Sequence, residues 1–299
     1  MEQRTLGQTD MRVSALGFGG SEIGYGQAAV ETVERLLGGA LDAGLNVIDT
    51  AECYVTSEEL IGRAVSHRRA DYYLFTKCGH ASGIELPDWD ARLLEQSLER
   101  SLRRLRADHV DLLQLHSCSE EVLRRGDAIE VLRRAREAGK TRYVGYSGDG
   151  RAALYAVECG AFDTLQTSVN IADQESLELT LPPARARGLG VIAKRPIANA
   201  VWKNTARPGD PYVQPYWDRL QRLDYEFLRG DDLAASVSTA LRFTLSVPGV
   251  QTAIVGTERP ERWRQNAETL QAGALDAAEF EAIRARWAER AEADWAGEV

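Results

Sequence analysis

Long apolar runs are missing from this chain of 299 residues. No stretch approaches the ~18 apolar residues that a membrane span requires. The opening MEQRTLGQTD carries charges where a secretory leader would carry an apolar core. The expectation is a cytoplasmic protein with no membrane partner. Cysteine is scarce and dispersed: Cys53, Cys78, Cys118 and Cys159 form no C-x-x-C pair, which argues against a zinc knuckle or a thioredoxin-type motif. The four histidines, His67, His80, His109 and His116, are scattered too, so spacing supplies no ligand set and no metal is expected. Basic residues are in deficit, with 36 Lys and Arg against 45 Asp and Glu and a net charge of −9. Such a surface repels phosphate backbones and excludes a general nucleic-acid binder. With 44% hydrophobic and 27% charged residues, the chain is neither collagen-like, mainly disordered nor disulfide-dense.

What is present is a rhythm. Eight short apolar or β-branched runs recur: 14–20, 45–51, 72–78, 109–117, 141–148, 163–169, 190–196 and 251–257. Gly, Asp or Pro bounds them, as expected of buried strands. Amphipathic stretches lie between. VETVERLLGGALDAG puts Val33, Leu36, Leu37, Ala40 and Leu41 on one face, and LLEQSLERSLRRLRAD does so with Leu94, Leu98, Leu102 and Leu105. EEVLRRGDAIEVLRRAREAGK reads as one further helix. Strands alternating with helices pair in parallel through right-handed crossovers. Eight such units predict one α/β domain over residues 1–299, a (β/α)8 TIM-type barrel. RTLGQTDMRVS adds a short N-terminal hairpin, a plug for the barrel floor. A long Pro-rich loop follows the seventh strand, from Ile197 to about Asp231, and loops of that length are usually functional. A terminal amphipathic helix ends the pattern.

Polar residues stand where barrel strands should be apolar. Asp49 follows LNVI, Lys77 follows YYLFT and His116 follows LLQL, each at a strand's C-terminal end. In a barrel these ends open on one face, the face that carries active sites. Tyr54 lies in the loop above Asp49. A phenol with its ordinary pKa of about 10 exchanges protons poorly near neutrality; a nearby ammonium stabilises its phenolate and lowers that value. A carboxylate keeps the ammonium charged, and an imidazole can orient a carbonyl oxygen. Together the four groups can polarise a C=O and protonate its oxygen while hydride reaches its carbon. A competing motif, Gly24-Tyr-Gly26-Gln-Ala-Ala29 with Asp49 about 20 residues on, imitates a dinucleotide-binding turn. The strand before it ends near Gly20, with GSEI intervening, so these glycines are expected to keep the first loop low over the site.

The segments DTAECYVTSEELIG, FTKCG, LLQLHS, VGYSGD and IVGTERPERWRQN resemble the aldo-keto reductase family, and the resemblance extends over nearly the whole chain. It implies NAD(P)H-dependent reduction of a small carbonyl compound. Tyr54 would be the general acid, Lys77 and Asp49 the pair that tunes it, and His116 the carbonyl orienter. Ser147 and Gln166 would meet the nicotinamide amide, with Gly20 and Asp49 among the cofactor contacts. Lys194, Arg195 and Pro196 would lie along the nicotinamide and pyrophosphate, and Gly256, Thr257, Arg262 and Asn266 at the adenosine end. Three positions depart from the pattern. Gly148 stands where Asn is common, Lys194 where many members stack an aromatic, and Gly256 where many carry a basic residue. Arg259, Arg262 and Arg264 compensate for the last, so NADPH is expected to be preferred with NADH possible. Trp202, Tyr216 and Trp217, with Tyr212, are candidates for an aromatic substrate wall or for solvent-facing loop residues. Some relatives of this fold serve as nucleotide-bound regulatory subunits, which is the alternative reading.

Overall fold

The computed structural model describes residues 1–230 and 232–298. All eight strands of the rhythm are present, shorter than the apolar runs. They are β3 (Leu16–Gly19), β4 (Val47–Asp49), β5 (Tyr73–Cys78), β6 (Val110–His116), β7 (Thr141–Ser147), β8 (Thr164–Ser168), β9 (Gly190–Lys194) and β10 (Val250–Val255). Each pairs in parallel with its sequence neighbour, and β10 returns to β3 with Ala253 opposite Leu16, which closes the barrel. Helices pack outside, as the (β/α)8 reading requires. Val30–Asp42 buries the five residues that its periodicity selects. Ala91–Leu105 buries Leu94, Leu98, Leu102 and Leu105, and the Asp90 carboxylate caps it by accepting from the Arg92 amide. Among the described residues no helix is long and apolar enough to cross a membrane.

Below the barrel, β1 (Gln3–Thr5) and β2 (Arg12–Ser14) pair antiparallel. Their connection drives Leu6 and Met11 into the floor, with Val13. These meet Val47, Phe75, Leu112 and Ile192 in a small core of fully buried side chains. Side chains alternate faces along a strand, so two residues further along four strands the interior turns polar. Above Val47 stands Asp49, above Phe75 Lys77, above Leu112 Gln114 and above Ile192 Lys194.

Two expectations need correction. The segment 120–140 is not one helix: it breaks into Glu120–Arg125 and Asp127–Glu137 at Gly126, whose φ of +84° only glycine adopts readily. The stretch after β9 is not a plain loop either. It holds a helix, Gln214–Leu223, between two short 3-10 turns, Ala198–Lys203 and Glu226–Leu228. Pro215 sits in that helix's first turn, where a missing amide costs nothing. Pro208 and Pro211 stay in the irregular stretch before it, and Pro215 alone marks the helix start.

Candidate active site

Asp49 and Lys77 end adjacent strands and meet inside the barrel. Lys77 Nζ donates to Asp49 Oδ2 at 2.5 Å and to the Thr50 carbonyl at 2.9 Å, with both side chains 1% exposed. Asp49 Oδ1 accepts from Gln166 Nε2 at 2.9 Å and from Gln114 Nε2 at 3.2 Å. The carboxylate is thus fixed by three side chains from three strands. Ser147 Oγ in turn donates to Gln166 Oε1 at 3.0 Å. One hydrogen-bonded chain runs from β7 through β8 to the Lys77–Asp49 pair.

Tyr54 reaches the same place from the loop after β4. Lys77 Nζ lies 5.1 Å from the centre of its ring, and His116 meets that ring edge-on at 5.7 Å. The four residues expected to converge do so. Gly24 shows how tightly the loops are layered: a Cβ there would lie 2.0 Å from the Tyr54 carbonyl oxygen. The first loop does press down on the Tyr54 loop, as the glycine reading anticipated. Val55, beside Tyr54, is β-branched with φ +46°, and Arg195 has φ +53°. Such left-handed backbone in bulky residues is uncommon and clusters at functional sites.

The electrostatics differ from the sequence argument in one respect. Burial raises the Tyr54 phenol above its ordinary value, and the Lys77 charge pulls down only part of that rise. Burial also works against the Lys77 ammonium, but the Asp49 carboxylate outweighs it and the net shift is upward. Tyr54 is therefore a neutral phenol above a charged lysine, a donor that keeps its proton until an acceptor arrives. Burial, and then the Lys77 charge, hold His116 well below its usual value, so the imidazole is neutral.

The other expected site residues divide by surroundings. Lys194 pairs with Asp149 Oδ2 at 2.7 Å, and Asp149 also accepts from Thr167 Oγ1 and the Ser168 amide. Its ammonium is committed to that carboxylate. Arg195 donates to Ser168 Oγ, to the Tyr212 hydroxyl and to the Glu298 carbonyl oxygen. The Pro196 carbonyl accepts from Thr244 Oγ1. The Gly20 amide donates to the Asp49 carbonyl. Gly256 and Thr257 leave β10, and Thr257 Oγ1 accepts from the Arg259 amide at 3.1 Å. Arg262, half-buried, stands in the first turn of the helix Pro260–Thr269, with Asn266 buried one turn on. The three aromatic candidates are not brought together as one wall. Tyr216 is 1% exposed and donates to Asp173 Oδ2 at 2.9 Å; Trp202 Nε1 donates to Ser236 Oγ; Trp217 packs against the core.

Several residues at the mouth carried no sequence signal. Tyr25, 60% exposed, faces the Tyr54 ring at 5.9 Å. His80 stacks edge-on against both His116 and Trp89. Cys53 Sγ lies 3.5 Å from His116 Nδ1. Glu52 is buried beside them, and burial pushes its carboxyl up to about 8. Sequence spacing offers no ligand set, yet in the fold Glu52, Cys53 and His116 place their ligand atoms within 4.8 Å of one another. Loop residues and a strand end, 63 positions apart, have no spacing to read. A groove lined by Met1, Arg4, Ala15 and Arg242 among others holds none of these groups.

Comparison with known proteins gives concordant results. The sequence model of the aldo/keto reductase family matches residues 15–288. L-galactose dehydrogenase of Arabidopsis thaliana is 32% identical over 213 residues, 66% of each chain. The uncharacterized oxidoreductase YqkF of Bacillus subtilis is 27% identical over 95% of this chain and 96% of its own. Among solved structures, the holo form of aldo-keto reductase AKR11C1 from Bacillus halodurans superposes with a TM-score of 0.83, at 27% identity, over 96% of both chains.

Proposed function

The chain belongs to the aldo/keto reductase family, and from that premise we propose that it reduces an aldehyde or ketone to the alcohol, with Tyr54 as the proton donor. The supporting observation is the buried Lys77–Asp49 pair at 2.5 Å beneath the Tyr54 ring, with neutral His116 edge-on beside it. A reduced nicotinamide nucleotide, when bound, supplies the hydride. The chain's own groups prepare the carbonyl. His116 donates an N–H to its oxygen and fixes its direction. As negative charge builds on that oxygen, Tyr54 releases its proton to it, and the Lys77 ammonium stabilises the phenolate that remains. Asp49 keeps Lys77 charged, and Gln114 and Gln166 keep Asp49 aligned.

The donor set suits such a nucleotide. Ser147 Oγ and the Gln166 side chain are adjacent, buried and complementary to a carboxamide. At the far end, the Arg262 guanidinium, carried on the N-terminal turn of its helix, favours an anion. That is the support for NADPH over NADH, and the absence of a basic side chain at Gly256 leaves room for both. Steady-state oxidation of NADPH and NADH with a panel of aldehydes and ketones tests the reading. Turnover with at least one carbonyl supports it. Tight nucleotide binding without turnover on any substrate would favour a regulatory nucleotide-binding subunit instead.

A further inference from the structure

Glu52, Cys53 and His116 are more than neighbours of the proton donor. A carboxylate oxygen, a thiol sulfur and a ring nitrogen lie within 4.8 Å of one another. The Sγ to Nδ1 separation is 3.5 Å. Zinc bonds of about 2.3 Å to sulfur and 2.0–2.1 Å to nitrogen, opened to a tetrahedral angle, separate those two atoms by about 3.6 Å. The two side chains already stand at the distance that a shared cation would set.

Glu52 supplies the second observation. It is 2% exposed; its Oε1 accepts from the His80 amide at 3.0 Å, while Oε2 has no hydrogen-bond partner. A buried carboxyl oxygen without a partner is costly, and a cation in place of the proton relieves that cost. The cations around it do not pair with its carboxyl: Lys77 is committed to Asp49 and Thr50, and Arg104 reaches only the Glu52 backbone carbonyl. Cys53 and His116 are only half-buried, so the cluster opens to the barrel mouth and an ion has a way in.

We propose that Glu52, Cys53 and His116 form a site for a thiophilic divalent cation, with Zn2+ as the type, and that filling it switches the reductase off. Binding breaks the Cys53 S–H bond, displaces any proton on the Glu52 carboxyl, and makes metal–sulfur, metal–nitrogen and metal–oxygen bonds. The displaced protons pass to the buffer, no electron moves, and water takes the fourth position. The cation and its water then stand beside His116, in the space that the carbonyl needs. The inhibitory half rests on the reductase reading above; the binding half does not.

The test uses the full-length protein with Cd2+ and Zn2+ as the probes. Wild type should give a thiolate-to-Cd2+ charge-transfer absorbance at one equivalent and release a proton. Cys159→Ser, which alters a distant thiol, should keep the band, and Cys53→Ser should lose it. Glu52→Gln should keep the band yet weaken Zn2+, measured by chelator competition, by at least about tenfold. Zn2+ should abolish carbonyl-dependent NADPH oxidation in wild type and Cys159→Ser but leave Cys53→Ser active. No band in wild type, or an undiminished band in folded Cys53→Ser, overturns the site. Tight Zn2+ binding with unchanged turnover overturns the switch. Protein that binds Cd2+ through Cys53 yet reduces no carbonyl would overturn the reductase reading and keep the site.

Discussion

The floor and the mouth of the barrel are built from the same strands and differ in everything else. At the floor, Val47, Phe75, Leu112 and Ile192 close on Leu6, Met11 and Val13 from the hairpin, without a polar side chain among them. One pleat higher, Asp49, Lys77, Gln114 and Gln166 form a network in which each hydrogen bond constrains the next. The floor gains from burial, which is non-directional and scales with area. The mouth buries charge, which is tolerable only while every partner is present. Stability is concentrated at one end of each strand and chemistry at the other, with a separation of two residues.

Substitutions at the two ends should therefore fail in different ways. The largest effect is expected from Tyr54→Phe. Its loss falls on the transition state, so kcat/KM should drop ~10²–10⁴-fold while nucleotide affinity and Tm stay near wild type. Near-normal turnover would remove Tyr54 from the proton-donor role. Leu112→Ala is the converse. It should cost about 2–5 kcal/mol in urea unfolding, with the surviving folded fraction keeping most of its kcat. A large kcat loss at full folding would show that floor and mouth are coupled through β6.

Arg262→Ala sharpens the comparison at the rim. It should weaken NADPH about 10–150-fold, as expected for the loss of a charge-assisted pair, and NADH much less. Fluorescence titration with both nucleotides decides, and equal losses would mean that Arg262 meets the adenine and not a phosphate.

The smallest effect concerns pH. Asp173 accepts from the Tyr216 hydroxyl and the Glu298 amide, and burial pushes its carboxyl up to about 7 from 3.8. A group raised on folding favours the native state below its unfolded pKa and loses that contribution as pH climbs through its folded one. Wild type should lose stability between about pH 4 and pH 7 at this residue, with a ceiling of about 1.4 kcal/mol per pH unit. Asp173→Asn removes the titration, so its Tm advantage should grow from pH 5 to pH 8. A constant difference across that range would show that Arg219, whose Nη1 lies 3.8 Å from Asp173 Oδ2, keeps Asp173 ionised throughout.

The barrel was legible because buried parallel strands are apolar runs of the right length, and Asp49, Lys77 and His116 stood out as polar residues closing such runs. Tyr54 followed from its place in the loop above them. Residues that matter through the fold alone left no trace. Gln114 is one: it meets Gln166, from another strand, only on Asp49. Cys53 reads as an incidental thiol until β6 brings His116 beside it. Tyr216 looked like a pocket residue because a proline-dense segment resembles a loop; the helix that begins at Gln214 turns it inward to Asp173 instead.

The closure of β10 on β3 also has a consequence in time. Arg4 Nη1 donates to the Leu245 and Val250 carbonyls, 241 and 246 residues away, and Leu16 lies opposite Ala253. A ribosome makes the hairpin and β3 long before it makes their partners. At about 5–20 residues per second, the free edge of β3 waits on the order of ten seconds or longer before β10 exists. Throughout that interval the nascent chain carries an open strand edge, the kind of surface that other chains can join. Supplying β10 in trans as a separate C-terminal fragment should rescue nascent chains stalled before residue 250 from aggregation, whereas a fragment lacking β10 should leave them exposed.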